Sequence, residues 1–177
     1  MRQTMKVTAA ALLTAGTAIC ALGSVGIVLG LRVNTSPSMP LGLWYEHASA
    51  GHSYAAGDVV EVCPPMALWQ TYYLRPGECP GSGREPILKT VAAVPSDIVD
   101  ISPNGMLVNG IKLENTSPLS HDGVGRPLAA YPLGVYTTQP GTVWLVAPRW
   151  DSYDSRYFGP VSIEDIKGLA EPVWLQK

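Results

Sequence analysis

Histidine is scarce in this sequence. The 177-residue chain holds three, His47, His52 and His121, and no Gly-x-Ser-x-Gly occurs anywhere. His47 and His52 fall in one polar loop candidate and His121 in another, so a Ser-His-Asp hydrolase built on a nucleophile elbow is a poor fit. Charge is sparse too: 15% of residues are Asp, Glu, Lys or Arg, and the formal net charge is −2. No basic surface advertises nucleic-acid binding. Cysteine is limited to Cys20, Cys63 and Cys79. The spacing of cysteines and histidines matches no standard metal site. Neither a metal nor a cofactor is expected.

Charge is missing altogether from Val7 to Leu31, behind Arg2 and Lys6. A run of about 20 apolar residues can span a bilayer. The basic flank puts the amino terminus in the cytoplasm and the rest of the chain outside. The run is rich in Ala, Gly and Thr. The other reading is a signal peptide cleaved after Gly23, which would leave an apolar remnant on a soluble protein. The retained anchor is favoured. Bulky Ile19 before Cys20 does not suit a lipoprotein signal. Residues 1–32 are thus an anchor or signal segment, and residues 33–177 an exported domain. Outside the cytoplasm disulfides persist, and Cys63 and Cys79 are the candidate pair.

The exported part is punctuated by many of the chain's 18 glycines and 16 prolines. Such punctuation favours short strands over long helices. "GLWYEHA" (42–48) and the β-branched run after Gly57-Asp58 suit strands. "PPMALWQTYYLRPG" (64–77) is the best helix candidate, with Met66, Trp69 and Tyr73 on one face. From Ile87 to Leu113, Val- and Ile-rich stretches are cut by Pro-Ser-Asp, Pro-Asn-Gly and Asn-Gly, the pattern of a meander. "GVYTTQPGTVWLVAP" adds two strands. "SIEDIKGLAEPVWLQ" starts with a Ser-capped turn and ends in a strand. The expected fold is mainly β, in coiled antiparallel sheets with short helices.

Three stretches could carry chemistry. "TSPSMPLGLW" (35–44) leaves the apolar segment and sets Ser38 between Pro37 and Met39-Pro40. The prolines fix φ on both sides and stiffen the backbone that presents the hydroxyl. By itself such a serine is an ordinary loop residue. Without a convincing histidine, a serine enzyme turns to lysine as its base. That lysine must be neutral, and burial is what lowers its pKa. Lys89 lies in "EPILKTVAAVPSD", flanked by Ile87, Leu88, Val91, Ala92 and Ala93. Lys112 and Lys167 stand beside turns or acids and look solvated. The third stretch, "APRWDSYDSRYFGPV" (147–161), offers Asp154 and Arg156 as a buttressing ion pair, with Ser152 and Ser155 free to hydrogen-bond nearby.

In that order after an apolar N-terminus, "SPSMP", "KTVAAVPSD" and "DSYDSRYFG" resemble the type I signal peptidase family. They are more similar to its conjugal-transfer branch, the TraF-like maturation peptidases. The general enzyme has one residue between its Met and Pro, whereas Pro40 follows Met39 directly here. The spacing of "SMPLGLW" is that of the TraF-like branch. The resemblance implies a coiled antiparallel β fold of the signal-peptidase type. It implies Ser38 as nucleophile, Lys89 as general base, and an oxyanion hole from the Ser36 hydroxyl and the Ser38 N–H. Ser152 would orient the lysine, and Asp154, Ser155 and Arg156 would support the site. The implied activity is membrane-associated endopeptidase processing of a pilin precursor or another membrane-embedded preprotein, ending in hydrolysis or in cyclisation of the product. The implied partners are that precursor and the lipid bilayer. The implied place is a bacterial inner membrane with the domain facing the periplasm, or the free periplasm after signal cleavage. A housekeeping signal peptidase is the nearest alternative. A non-catalytic, membrane-tethered β scaffold is the alternative of another class.

Overall fold

Val- and Ile-rich segments separated by turn dipeptides fold into two antiparallel sheets in the computed structural model, which describes residues 13, 14, 16, 17, 20, 21, 23–48, 53–63 and 74–176. The larger sheet contains β1 (Leu31–Asn34), β2 (Gly42–Ala48), β3 (Val59–Val62), β4 (Ile87–Ala93), β9 (Thr142–Val146), β10 (Val161–Ser162) and β11 (Ile166–Leu175). Its strand order is β1-β2-β11-β3-β4-β9-β10. The smaller sheet contains β5 (Ile98–Ser102), β6 (Gly105–Val108), β7 (Ile111–Lys112) and β8 (Gly134–Thr137), in the order β7-β6-β5-β8. Chain neighbours β8 and β9 therefore belong to different sheets. The β6–β7 hairpin turns on Asn109 and Gly110, at φ 51° and 80°. Two consecutive left-handed residues match the turn expected of Asn-Gly.

The last long strand closes the larger sheet. β11 is inserted between β2 and β3, pairing Gly168 with Ala48 on one side and with Glu61 on the other. Gly168 is required there, since a Cβ would lie 2.0 Å from the His47 carbonyl oxygen.

Three apolar clusters hold this frame. Val60, Val62, Val91, Val143, Leu145, Val161 and Ile166 form one within the larger sheet. A second joins the sheets through Ala92, Ala93, Val99, Ile101, Met106, Val108 and Trp144. The small side chains of Ala92 and Ala93 share this cluster with the Trp144 ring, which meets Tyr131 edge-on at 5.4 Å. The third, Met39, Trp44, Ala147 and Ala170, lies directly behind Ser38. Burying one such side chain stabilises the fold by about 1.5–3 kcal/mol.

At the N-terminus, residues 23–28 are helical and run through a turn into β1. The expected membrane span falls partly outside the described residues. Among the described residues, no helix is long and apolar enough to cross a membrane. The helix expected over 64–77 also lies largely outside them, and Leu74–Gly77 is not helical. Instead Pro76 bridges to Arg84.

Cys63, just past β3, is disulfide-bonded to Cys79, with Cα atoms 5.5 Å apart. Charges fasten the same loop to the sheet. Glu78 pairs with Lys167 and with Arg32, and Arg32 also reaches Glu46 at 3.0 Å. Lys167, expected to be solvated, is thus held among carboxylates. Burial pulls its pKa down, but the bond to Glu78 and the charges of Glu61, Glu46 and Glu78 raise it overall. Glu61 is pushed up to about 7, by burial first and then by the neighbouring Glu46 carboxylate.

The disulfide closes a loop of sequence separation 16, worth about 3 kcal/mol in the chain-entropy model. The Cys63→Ser/Cys79→Ser double variant should lose that stability. For a domain of this size the melting temperature should fall by roughly 6–12 °C. Thermal unfolding followed by circular dichroism, beside the reduced wild type, measures it.

Candidate active site

β1 ends at Asn34, and the chain then turns back before β2 begins at Gly42. Ser38 sits in this turn, and the next residue fixes its position. Met39 is 5% exposed and packs with Trp44, Ala147 and Ala170. A buried Met39 leaves Ser38 at the surface of that cluster, partly open to a cleft.

Asn34, which the sequence reading passed over, braces the turn. Its Nδ2 donates to the carbonyls of Ser36, Met39 and Pro40 at 3.0, 3.1 and 3.0 Å, and its Oδ1 accepts from the Ser36 N–H at 3.0 Å. Trp44 Nε1 also donates to the Pro40 carbonyl. The available signal was local: Asn side chains bond nearby backbone where the chain leaves a regular element. The stiffness expected from the two prolines is supplemented by this amide.

Lys89 projects from β4 opposite fully buried Val60. It is 3% exposed. Its Nζ donates to Ser38 Oγ at 3.2 Å and to Ser152 Oγ at 3.2 Å. Ser36 Oγ lies 3.1 Å from Ser38 Oγ. Three distant stretches of the sequence thus form one chain of hydrogen bonds, from Ser36 through Ser38 and Lys89 to Ser152.

Behind Ser152, the Asp154–Arg156 pair is fully buried. Arg156 grips the carboxylate with two bonds of 2.8 Å, from Nε and from an Nη. Its remaining donors reach the carbonyls of Trp150 and Arg149. Asp154 also accepts from the Ala147 N–H and Ser155 from the Leu145 N–H, at 3.1 and 2.8 Å. These two side chains therefore satisfy the free backbone edge of β9 beside the short helix α1 (Ser155–Phe158).

The three electrostatic influences on Lys89 differ in sign. Burial pulls its pKa down from 10.5 to about 8, the Asp154 charge works against this, and Arg156 adds to the lowering. At pH 7, a value of about 8 leaves about a tenth of the amines neutral, some 300 times more than an ordinary lysine. A neutral amine bonded to a serine hydroxyl can remove its proton.

The histidines lie elsewhere. His47 is on β2, not in a loop, and pairs with Glu171 at 3.3 Å, while His121 Nδ1 bonds Ser120 Oγ. His52 lies outside the described residues. Among the described residues, no group of three or more His, Cys, Asp or Glu could hold a metal ion. The cleft in front of Ser38 has a volume of about 290 Å³. Ser36, Leu74, Leu88, Lys89, Ser152 and Tyr153 contribute to its lining.

A lysine with a depressed pKa destabilises the fold wherever the unfolded chain holds a proton that the folded chain resists. The cost is fully present below pH 8 and disappears as pH rises from about 8 to 10.5. Lys89→Met should therefore be more stable than wild type at pH 7 by up to about 3 kcal/mol. The gain should fade towards pH 10.5. Urea unfolding at several pH values tests both the size and the trend.

The chain is similar to known proteins over most of its length. Residues 1–175 match the family described as "Signal peptidase, peptidase S26". The conjugal transfer protein TraF of Agrobacterium fabrum is 36% identical over 165 residues, covering 90% of this chain and 91% of that protein. The plasmid transfer protein TraF of Escherichia coli is 34% identical over 179 residues, covering 98% of each. A signal peptidase I structure from Enterococcus faecalis is a more distant likeness, at TM-score 0.39 and 15% identity over 67% of this chain and 97% of that one. The chain belongs to the signal peptidase family, peptidase S26, in the branch of its TraF relatives.

Proposed function

We propose that this chain is a Ser–Lys endopeptidase, with Ser38 as nucleophile and Lys89 as general base, that matures a pilin precursor for conjugal plasmid transfer. The observation that carries the reading is the 3.2 Å approach of Lys89 Nζ to Ser38 Oγ with the lysine only 3% exposed.

The neutral Lys89 amine accepts the Ser38 hydroxyl proton as Oγ bonds to the scissile carbonyl carbon. Negative charge develops on the carbonyl oxygen. The Ser38 N–H and the Ser36 hydroxyl stabilise it once Ser36 turns from Ser38 Oγ towards the oxyanion. The C–N bond breaks, and the Lys89 ammonium gives its proton to the leaving nitrogen. Water then attacks the acyl–Ser38 ester. Alternatively, the substrate's own amino terminus attacks it and closes a cyclic product. Ser152 holds Lys89 in line throughout. Asp154, Ser155 and Arg156 keep Ser152 and the β9 edge fixed.

The apolar N-terminal segment ends a few residues before Ser38. Retained as an anchor, it would hold the cleft at the periplasmic face of the inner membrane, where a membrane-embedded precursor exposes its processing site. A non-catalytic scaffold would have no need to bury Lys89 against a serine. The relatives' association with conjugal transfer favours a dedicated precursor over the general secretory load of a housekeeping enzyme.

Ser38→Ala and Lys89→Ala should each abolish processing when co-expressed with a pilin precursor. Mass spectrometry of the wild-type product should give a mature pilin, lighter by one water than the linear form if cyclisation occurs. Normal processing in either variant would reject the dyad.

A further inference from the structure

We infer that a second cavity, of about 380 Å³ beside the catalytic cleft, is a subsite for an apolar side chain of the segment released from the substrate. The inference rests on the peptidase reading and extends it to the leaving-group side of the scissile bond.

Position comes first. Asp151, Ser152 and Tyr153 line both the cleft and this second cavity. Ser36, Ser38 and Lys89 line only the cleft of the two. Chemistry then orients the substrate. Ser38 Oγ lies 3.1 Å from the Ser36 hydroxyl and 3.2 Å from Lys89 Nζ, and Lys89 Nζ links it to Ser152, a residue that lines both cavities. The leaving nitrogen must meet Lys89 to be protonated. The residues after the scissile bond therefore pass Lys89 and Ser152 and run towards the second cavity.

Its walls suit an apolar guest. Leu119, Val124, Leu128, Trp150, Tyr153 and Tyr157 supply half of its twelve lining residues. The charged residues in its lining are paired, Asp122 with Arg126 at 2.6 Å and Asp151 with Arg149 at 2.5 Å. The site is also built in advance. Tyr153 and Tyr157 stack at 5.1 Å. The Leu119 N–H donates to Tyr157 Oη at 2.9 Å, and the Tyr131 N–H to the Arg156 carbonyl at 2.8 Å. The loop that forms one wall is thus tied to the same segment that supports Lys89.

The test uses the full chain in detergent micelles and a mixture of synthetic tetradecapeptides of diverse sequence, with cleavage sites read by mass spectrometry. Matched peptides then give kcat/KM with Leu, Ile, Phe, Ala or Asp at each of the first three positions after the cleaved bond. Wild type should prefer a large apolar residue over Ala or Asp at one of these positions, on the order of 10- to 100-fold. Val124→Asp and Leu128→Asp should each reduce that ratio at least about fivefold. Val124 is 75% exposed, so its replacement is compatible with folding. Val135→Asp, on the exposed side of β8, should keep the wild-type ratio. Cleavage with no leaving-side preference, or a preference unchanged in both cavity variants, overturns the subsite alone. No cleavage of any peptide, with the pilin precursor also left intact, overturns the peptidase reading and the subsite with it.

Discussion

The fully buried Asp154–Arg156 ion pair is the interaction on which the rest of the site depends. Removing one partner of such a pair typically costs about 3–5 kcal/mol, because the other is left as an unmatched buried charge. The pair persists because its hydrogen bonds are satisfied. Asp154 accepts from Arg156 and from the β9 backbone, and Arg156 ties down the carbonyls of residues 149 and 150. Those carbonyls lie three and two residues before Ser152. The position of Ser152, and through it of Lys89 Nζ, is thus inherited from the pair.

The same pair sets the field at Lys89, where opposing effects decide the protonation state. Burial alone favours the neutral amine. Asp154 favours the charged form, though less strongly than burial opposes it, and Arg156 works against Asp154. A carboxylate without its guanidinium would shift the lysine towards its protonated form. A guanidinium without its carboxylate would push the amine further towards neutrality, at a heavy cost in stability. The balanced pair gives structural order with little net effect on the lysine's charge state.

Much of this was legible in the sequence, for local reasons. Asn-Gly at 109–110 marked a hairpin, Ser162 marked a cap, and the run after Gly57-Asp58 marked β3. Lys89 stood out because charge is rare in an apolar strand, and Asp154 and Arg156 because their alternation suggests an ion pair. What stayed hidden depends on long-range pairing. Nothing local indicates that β11 inserts between β2 and β3, or that β8 and β9 part into different sheets. Lys167 resembled any lysine beside a turn, yet the disulfide-bonded loop brings Glu78 onto it. Asn34 was overlooked because a single asparagine at a strand end has many ordinary uses, and its several bonds exist only once the 36–40 turn has formed. The second cavity was illegible because residues 119–128 and 150–157 meet only in the fold.

The proposed chemistry requires Lys89 to be a buried lysine with an appreciable neutral fraction near neutral pH. The most direct measurement is an NMR titration of the Lys89 side chain in the full chain in micelles, assigned by its loss in Lys89→Ala. The expected midpoint is about 8. A midpoint near the ordinary lysine value of 10.5 would contradict it.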